Sequence, residues 1–452
     1  MTDYPATARE RIWQFGTSHR KMARTGGPVV FDTADGCHLV DSTGRRYIDA
    51  LSGVWVVNAG HSHPDIVAAM TAQATRLGYA LSEEGFANTA AVDLATRLTD
   101  AVDGVYDRVY FTTGGSESVE MALRMARLYH SARGKPGKRT VISRQGSYHG
   151  TTLFTLGLSS YDIFSRAVGP LPDGLAKVVH PTCADCPLGR SYPGCAVGCA
   201  QDLADTIERL GPDTVAAFVA EPVSTSAGVA VPPPEYWPAV REICSRYDVL
   251  LVADEVVTGI GRCGDVLATR RFGIEADIVA LAKALTSGYA PLGAVLTHRD
   301  ITTGMPANAL LIPGFTFTGH PVACAAATAN LDILCRPEVH DGVHRKSARL
   351  ATALRDRLGG RPHVGGIRVF GLLAAVDLEP PPTVPGRRTP SAAELSQLMT
   401  GWLLESGLYT RVVEGCVQLG PPLLAPDDLM DAIADHLASA FDRLAEHLGR
   451  IR

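Results

Sequence analysis

Nothing in this sequence marks a nucleic-acid or membrane protein. The 452 residues carry 42 Lys and Arg against 47 Asp and Glu, a formal charge of −5, so the basic footprint that grips phosphate backbones is missing. No apolar run approaches the roughly 18 residues needed to span a bilayer. The opening MTDYPATARERIWQF lacks the apolar core of a secretory signal, which predicts a cytoplasmic protein. There is no internal repeat and no low-complexity tract. What is present, 46% hydrophobic and 20% charged residues, is ordinary for a soluble globular chain, and the length predicts two or three domains.

A cytoplasmic setting keeps cysteines reduced by default. Six of the ten are scattered and read as small core residues: Cys37, Cys244, Cys263, Cys324, Cys335 and Cys416. The other four, Cys183, Cys186, Cys195 and Cys199, cluster in TCADCPLGRSYPGCAVGCA. CxxC followed by CxxxC resembles a zinc-ligand set, although the two pairs stand closer together than in common zinc ribbons. A structural metal, a disulfide pair and four free thiols all fit the spacing. In each case residues 183–199 read as an insertion, and no catalytic metal is expected.

From about residue 105 to 330, short apolar runs alternate with helical patterns. VYDRVYFTT (105–113), TVISRQGSY (140–148), VAAFVAEPV (215–223), VLLVADEVV (249–257) and DIVALAK (277–283) read as strands bounded by turn signals, and PPEYWPAVREICSRYD (233–248) as a helix between two of them. Continuous apolar strands separated by helices predict a mostly parallel sheet covered on both faces, an α/β architecture. The ends differ. HLVDSTGRRYIDAL (38–51) reads as a hairpin turning at Ser42-Thr43-Gly44, residues 331–360 as helical, VFGLLAAVDLE (369–379) as a strand, PPPTVPGRRTP (380–390) as a proline-rich loop and the tail from Asp427 as an amphipathic helix. The expected division is a large domain over 61–330, with the Cys-rich insertion inside it, and a smaller α+β domain built from 1–60 and 331–452.

Ligands in open α/β sheets bind at strand ends, and four apolar runs here end in polar residues. FTT runs into Gly114-Gly115-Ser116, VAAFVAEPV carries Glu221, VLLVADEVV carries Asp254 and DIVALAK ends in Lys283. Glycines opening an amphipathic helix (Val119, Ala122, Leu123 and Ala126 on one face) leave free N–H groups at its positive end, an anion site. A carboxylate and an ammonium ending buried strands need partners. Pyridoxal phosphate answers all of this at once. It requires a lysine for its Schiff base, an acid at the pyridine nitrogen, an anion site for its phosphate and flat surfaces on the ring faces, for which Tyr148 and Val256 serve.

The motifs LSGVWVVNAGHSHP, FTTGGSESVEMALRMAR, SYHGTT, AEPV, ADEVVTGIGRCG, AKALTSGYAPLGA and TFTGHPVACAAA, in this order from about Leu39 to about Leu424, resemble those of the class III pyridoxal-phosphate aminotransferases, the ω-aminotransferase group. The resemblance implies the aspartate-aminotransferase-like fold (fold type I). It implies that Lys283 carries the cofactor and moves the proton, and that Asp254 bonds the pyridine nitrogen. Gly115 and Ser116 then hold the phosphate, Tyr148 and Val256 take the two ring faces, and Glu221 joins a network beside the ring. Thr318 is expected to reach the cofactor phosphate of a neighbouring subunit, which makes the protein a homodimer with shared sites, or a tetramer built from such dimers. Arg411 aligns with the arginine that binds the acceptor's α-carboxylate, Trp55 with a substrate-pocket aromatic, and His149 supports the stacking tyrosine. Cys263 stands where relatives often carry threonine, with no mechanistic consequence expected.

The expected activity is transfer of an amino group from a primary amine or ω-amino acid to an α-keto acid, pyruvate or 2-oxoglutarate, in two half-reactions. Two alternatives remain open at this point. A decarboxylase or aminomutase on the same fold would share the cofactor residues, so those residues do not discriminate. A metal-stabilised binding protein, with the cysteine cluster as its purpose, would be colourless and would hold zinc.

Overall fold

The computed structural model describes residues 2–24, 27–160, 167–311, 313–382 and 389–450. Near the N-terminus β1 (Phe31–Asp35), β2 (His38–Asp41) and β3 (Arg46–Asp49) form an antiparallel meander. Its second turn closes at Ser42-Thr43-Gly44 because the Asp41 carboxylate accepts from the Thr43 N–H at 2.9 Å and Gly44 takes a left-handed φ of 86°.

The large sheet contains β4 (Tyr106–Thr112), β5 (Thr140–Arg144), β6 (Leu175–Val178), β7 (Val215–Ala220), β8 (Leu250–Asp254), β9 (Ile278–Leu281) and β10 (Gly293–His298), in the order β4-β10-β9-β8-β7-β5-β6. Only β10 runs against its neighbours, and every other pair is parallel. All residues of β7, β8 and β9 are buried, which explains why these runs show no polar alternation. Successive side chains go to opposite faces. Ala217, Val219, Val252 and Ala280 pack with Val119, Ala122, Leu123 and Ala126 of the helix Gly115–Ala132. Phe218, Leu251 and Val279 join the other cluster, with Trp237, Val240 and Cys244 of the helix Tyr236–Arg246.

The C-terminal part adds β11 (Val364–Phe370), β12 (Leu373–Leu378), β13 (Leu408–Tyr409), β14 (Arg411–Val413) and β15 (Cys416–Leu419). The order β11-β12-β15-β14 is antiparallel throughout, whereas β13 pairs with β3 in parallel, so the chain's end completes the sheet its beginning started. Long helices, Pro321–Leu334, Pro337–Leu358 and Leu429–Arg450, surround these sheets, and Leu429, Ile433 and Leu437 lie on the buried face of the last. The run 369–379 is not one strand. It breaks into β11 and β12 at Gly371, whose φ of 56° turns the chain and whose missing Cβ leaves room for Cys263. Of the proline-rich stretch, residues 383–388 lie outside the described residues.

Arg262 ties the sheets together. It is fully buried and donates to the carbonyls of Leu372 at 3.2 Å and Pro421 at 2.6 Å, to Ser52 Oγ at 3.2 Å and to Asn58 Oδ1. One guanidinium thereby joins the loop after β8 to both ends of the chain. Among the described residues no helix is long and apolar enough to cross a membrane.

Candidate active site

The parallel strands β5, β7, β8 and β9 deliver their carboxyl ends to one edge of the sheet. At that edge stand Arg144, Glu221, Asp254 and Lys283, each at the last residue of its strand or within two residues beyond it. The sequence places them at strand ends, and the parallel register makes those ends neighbours.

Asp254 is 4% exposed and shares a 2.8 Å hydrogen bond between Oδ2 and His149 Nδ1. Its Oδ1 accepts from the Val256 N–H at 3.1 Å, which fixes the carboxylate plane. The next residue, Glu255, points away and accepts from the N–H groups of Ala268 and Thr269, so the two adjacent acids serve different tasks.

Glu221 sits in a denser network. Arg144 Nη2 donates to its Oε2 at 3.0 Å and to its backbone carbonyl at 2.6 Å, while Oε1 accepts from the Tyr148 N–H at 3.2 Å and from Ser224 Oγ at 3.1 Å. His149 Nε2 lies 3.8 Å from Oε2. Burial pushes the Glu221 pKa up, but its cationic and hydrogen-bonding neighbours, Arg144 among them, outweigh it and hold the value at about 2. The carboxylate is therefore ionised at any working pH. Asp254, His149, Glu221 and Arg144 form a continuous buried polar chain.

Lys283 follows β9 with a left-handed φ of 44°, an uncommon conformation for a side-chain-bearing residue and one that collects at functional sites. Burial, opposed by Asp254 and Glu221 and aided by Arg411, lowers its pKa from 10.5 to about 8. An amine with that value has an appreciable neutral, nucleophilic fraction near neutral pH.

The anion turn is built next to it. A Cβ on Gly115 would stand 2.9 Å from Val256 Cγ1 and 3.7 Å from Ala282 Cβ, so only glycine lets the start of the helix close on both β8 and β9. Ser118 Oγ donates to the Leu281 carbonyl at 2.9 Å and meets Thr112 Oγ1 at 2.7 Å, locking this helix start beside Lys283. Ser116 Oγ accepts from the Thr151 N–H at 3.1 Å. Thr151 thus ties its N–H and hydroxyl to the turn, a contact that the motif SYHGTT alone does not reveal. Arg144 was missed as well. Its signal was an arginine ending an otherwise apolar strand.

Tyr148 is 37% exposed, and the charges of both Arg411 and Asp254 act on its hydroxyl, so its ring faces the same cleft. Arg411, exposed at the start of β14, also acts on Lys283. Trp55 lies deeper, 4% exposed, with its indole N–H on the Leu419 carbonyl at 3.3 Å and its ring against Gly420. Thr318 is not joined to this group by any hydrogen bond among the described residues. It lies in a segment tied to residues 79–88 through Tyr79 to the Thr316 carbonyl and Asn88 to the Gly319 carbonyl, and its Oγ1 is buried without a partner.

The geometry defines a class before any comparison: a fold type I α/β enzyme with a low-pKa lysine, a buried carboxylate and a glycine-lined anion turn around one cleft. Those residues fit pyridoxal phosphate, the turn by the space Gly115 leaves and the amine by its lowered pKa. The profile of the family described as Aminotransferase class-III matches residues 21–441, and the chain belongs to that family. A probable aminotransferase of Mycobacterium tuberculosis is 38% identical over 96% of this chain and 93% of its own length. A putrescine–pyruvate aminotransferase of Pseudomonas aeruginosa is 31% identical over 98% and 96%. A pyridoxal-phosphate-bound amine transaminase from an uncultivated Pseudomonas species superposes with a TM-score of 0.90 at 34% identity, covering 96% of this chain and 98% of its own. The protein is a pyridoxal-phosphate-dependent aminotransferase that moves an amino group from an amine to a keto acid. The decarboxylase or aminomutase alternative is not favoured.

Proposed function

We infer that Lys283 is the catalytic amine and that Asp254, Glu221, Tyr148, Val256, Gly115, Ser116 and Thr151 hold the cofactor around it. Bound there, pyridoxal phosphate supplies an electron sink conjugated to the amino-bearing carbon of the substrate. With the group bound, Lys283 would take the proton from that carbon and return it to the carbon on the other side of the shared nitrogen, a task its pKa of about 8 suits because both protonation states are accessible. Asp254, oriented by His149, would face the ring nitrogen. The helix start at Gly115 and the hydroxyls of Ser116 and Thr151 would bind the phosphate.

The observation that carries this reading is the meeting of Lys283 with Asp254 and the Gly115 turn at one sheet edge. Its test is Lys283→Ala, which should bind the cofactor without the visible absorbance that borohydride removes and should lose at least about 10⁴-fold in turnover. Normal turnover by that variant would sink the assignment.

On the substrate side, Arg411 binds the α-carboxylate of the keto acid, for which its planar fork is suited, and turns toward solvent for amines without one. Trp55 forms the inner wall that limits amine size. Primary amines and ω-amino acids are the donors and pyruvate or 2-oxoglutarate the acceptor. The P. aeruginosa relative's name, which pairs a diamine with pyruvate, supports pyruvate first. A panel of amines with each keto acid tests the choice.

The protein works as a homodimer. Tyr79 and Phe317, 44% and 55% exposed with ring centroids 6.2 Å apart, are an apolar pair that would favour burial beside the unpartnered Thr318 hydroxyl. Thr318 then completes the phosphate site of the partner subunit, and sedimentation at micromolar concentration tests the assembly. The chain divides into a large unit over 61–330 and a smaller one from both ends, a reading supported by the pairing of β13 with β3. Ten free thiols suit a cytoplasmic location.

A further inference from the structure

The segment from His180 to Cys199 takes no part in the chemistry above. Its four cysteines are free, and together with His180 they line one cavity of about 20 Å³, room for a single water or ion. His180 is 4% exposed and neither of its ring nitrogens has a hydrogen-bond partner. Burial and the charge of Arg144 lower its pKa to about 3, so it is a neutral imidazole with one donor and one acceptor unused. A buried polar side chain in that state calls for an occupant.

The backbone makes the same demand. Between Cys195 and Cys199, Ala196 and Val197 both take left-handed φ values, 47° and 51°. A β-branched residue there is a genuine outlier, and such strain persists only where surrounding structure holds it. This strained turn is what carries Cys195 and Cys199 onto the cavity that Cys183 and Cys186 already line.

We propose that Cys183, Cys186, Cys195 and Cys199 bind one zinc ion as a closed four-thiolate structural site, with the His180 imidazole at its wall. Thiolates select soft or borderline metals, and a cavity of this size takes a single ion and not an iron–sulfur cluster. Four S–H bonds are replaced by four S–Zn bonds, four protons go to solvent and no electron moves. Arg190, which also borders the cavity, offsets the resulting negative charge. Among the described residues no three His, Cys, Asp or Glu groups already stand in ion-holding positions, so the four thiols must draw together for the ion to bind. The charges of Arg144 and Glu221 both act on His180, so the closed site braces the wall behind the cofactor cradle and offers no open coordination position.

Elemental analysis of the full chain, purified without chelator from zinc-supplemented medium, should give about one zinc per chain. Replacement by cobalt(II) should produce the near-ultraviolet thiolate-to-metal band and tetrahedral visible bands. The Cys186→Ser/Cys195→Ser variant should retain at most about one tenth of the zinc. Should that variant fold poorly, mercurial titration of the wild type should release its zinc as the four thiols react. Zinc below about a tenth of an equivalent with no cobalt–thiolate band, zinc kept by the double variant, or iron with inorganic sulfide in its place would each overturn the proposal. None of these readouts depends on cofactor or turnover.

Discussion

The two sides of the cleft are built on different principles. On the strand-end side both acids are buried and answered: Asp254 by His149, Glu221 by Arg144, Ser224 and the Tyr148 N–H. On the opposite side Arg411 sits exposed on the short strand β14, with no ion pair among the described residues. Buried and saturated charges cannot move without large cost, while an exposed arginine can reorient at little. A constant cofactor belongs on the first kind of surface. Two chemically different substrates, an amine and a keto acid, belong on the second.

Perturbing the rigid side should have the larger effects. After Lys283→Ala, the greatest loss is expected for Asp254→Asn, which under the proposed assignment removes the carboxylate that faces the ring nitrogen and should lower kcat by about 10²–10³-fold with little change in KM. Steady-state kinetics of both half-reactions check it, and an unchanged kcat would place the ring elsewhere. Arg144→Met leaves Glu221 buried without its closest cation and should cost about 3–5 kcal/mol of stability in urea titration. Adding Glu221→Gln should recover part of that, because the two residues form one network. If the losses simply add, the network is not a unit.

The adaptable side should respond selectively. Arg411→Ala should raise the KM for keto acid by about 10–100-fold, the worth of a charged hydrogen-bonded pair, and leave the half-reaction with a carboxylate-free amine nearly intact. Equal losses on both substrates would erase the contrast between the two surfaces.

The smallest effect is a pH slope. Folded Lys283 holds its proton with a pKa of about 8 against 10.5 in the unfolded chain. Between those values the unfolded state binds more protons, so the stability of the cofactor-free protein should rise with pH and then level off. Below about pH 8 both states are protonated and the term is constant. Urea midpoints of the apoprotein at intervals from neutral to alkaline pH, compared with Lys283→Met, isolate it. A variant showing the same slope would assign the titration to another group.

Much of this was legible in the chain. Strands over 215–220, 250–254 and 278–281 are uniformly apolar because both their faces are covered, and uniform runs of that length bounded by turn residues admit few other readings. Lys283, Asp254 and Gly115 stood out because each breaks such a run. The hairpin at Gly371 was less visible, since apolar residues continue across it and the turn depends on contact with Cys263. Arg144 looked like an ordinary strand terminus. Its importance lies in Glu221, 77 residues away, and no local pattern encodes that distance.

By itself the sequence determined where strands end and which reactive groups stand at those ends, because hydrophobic periodicity and glycine placement act over a few residues. Only the tertiary structure decided which ends become neighbours. The strand order β9-β8-β7-β5 gathers Lys283, Asp254, Glu221 and Arg144 at a single sheet edge. Burial there then sets their charge states, since desolvation and opposing charges act through space and leave no trace in local spacing.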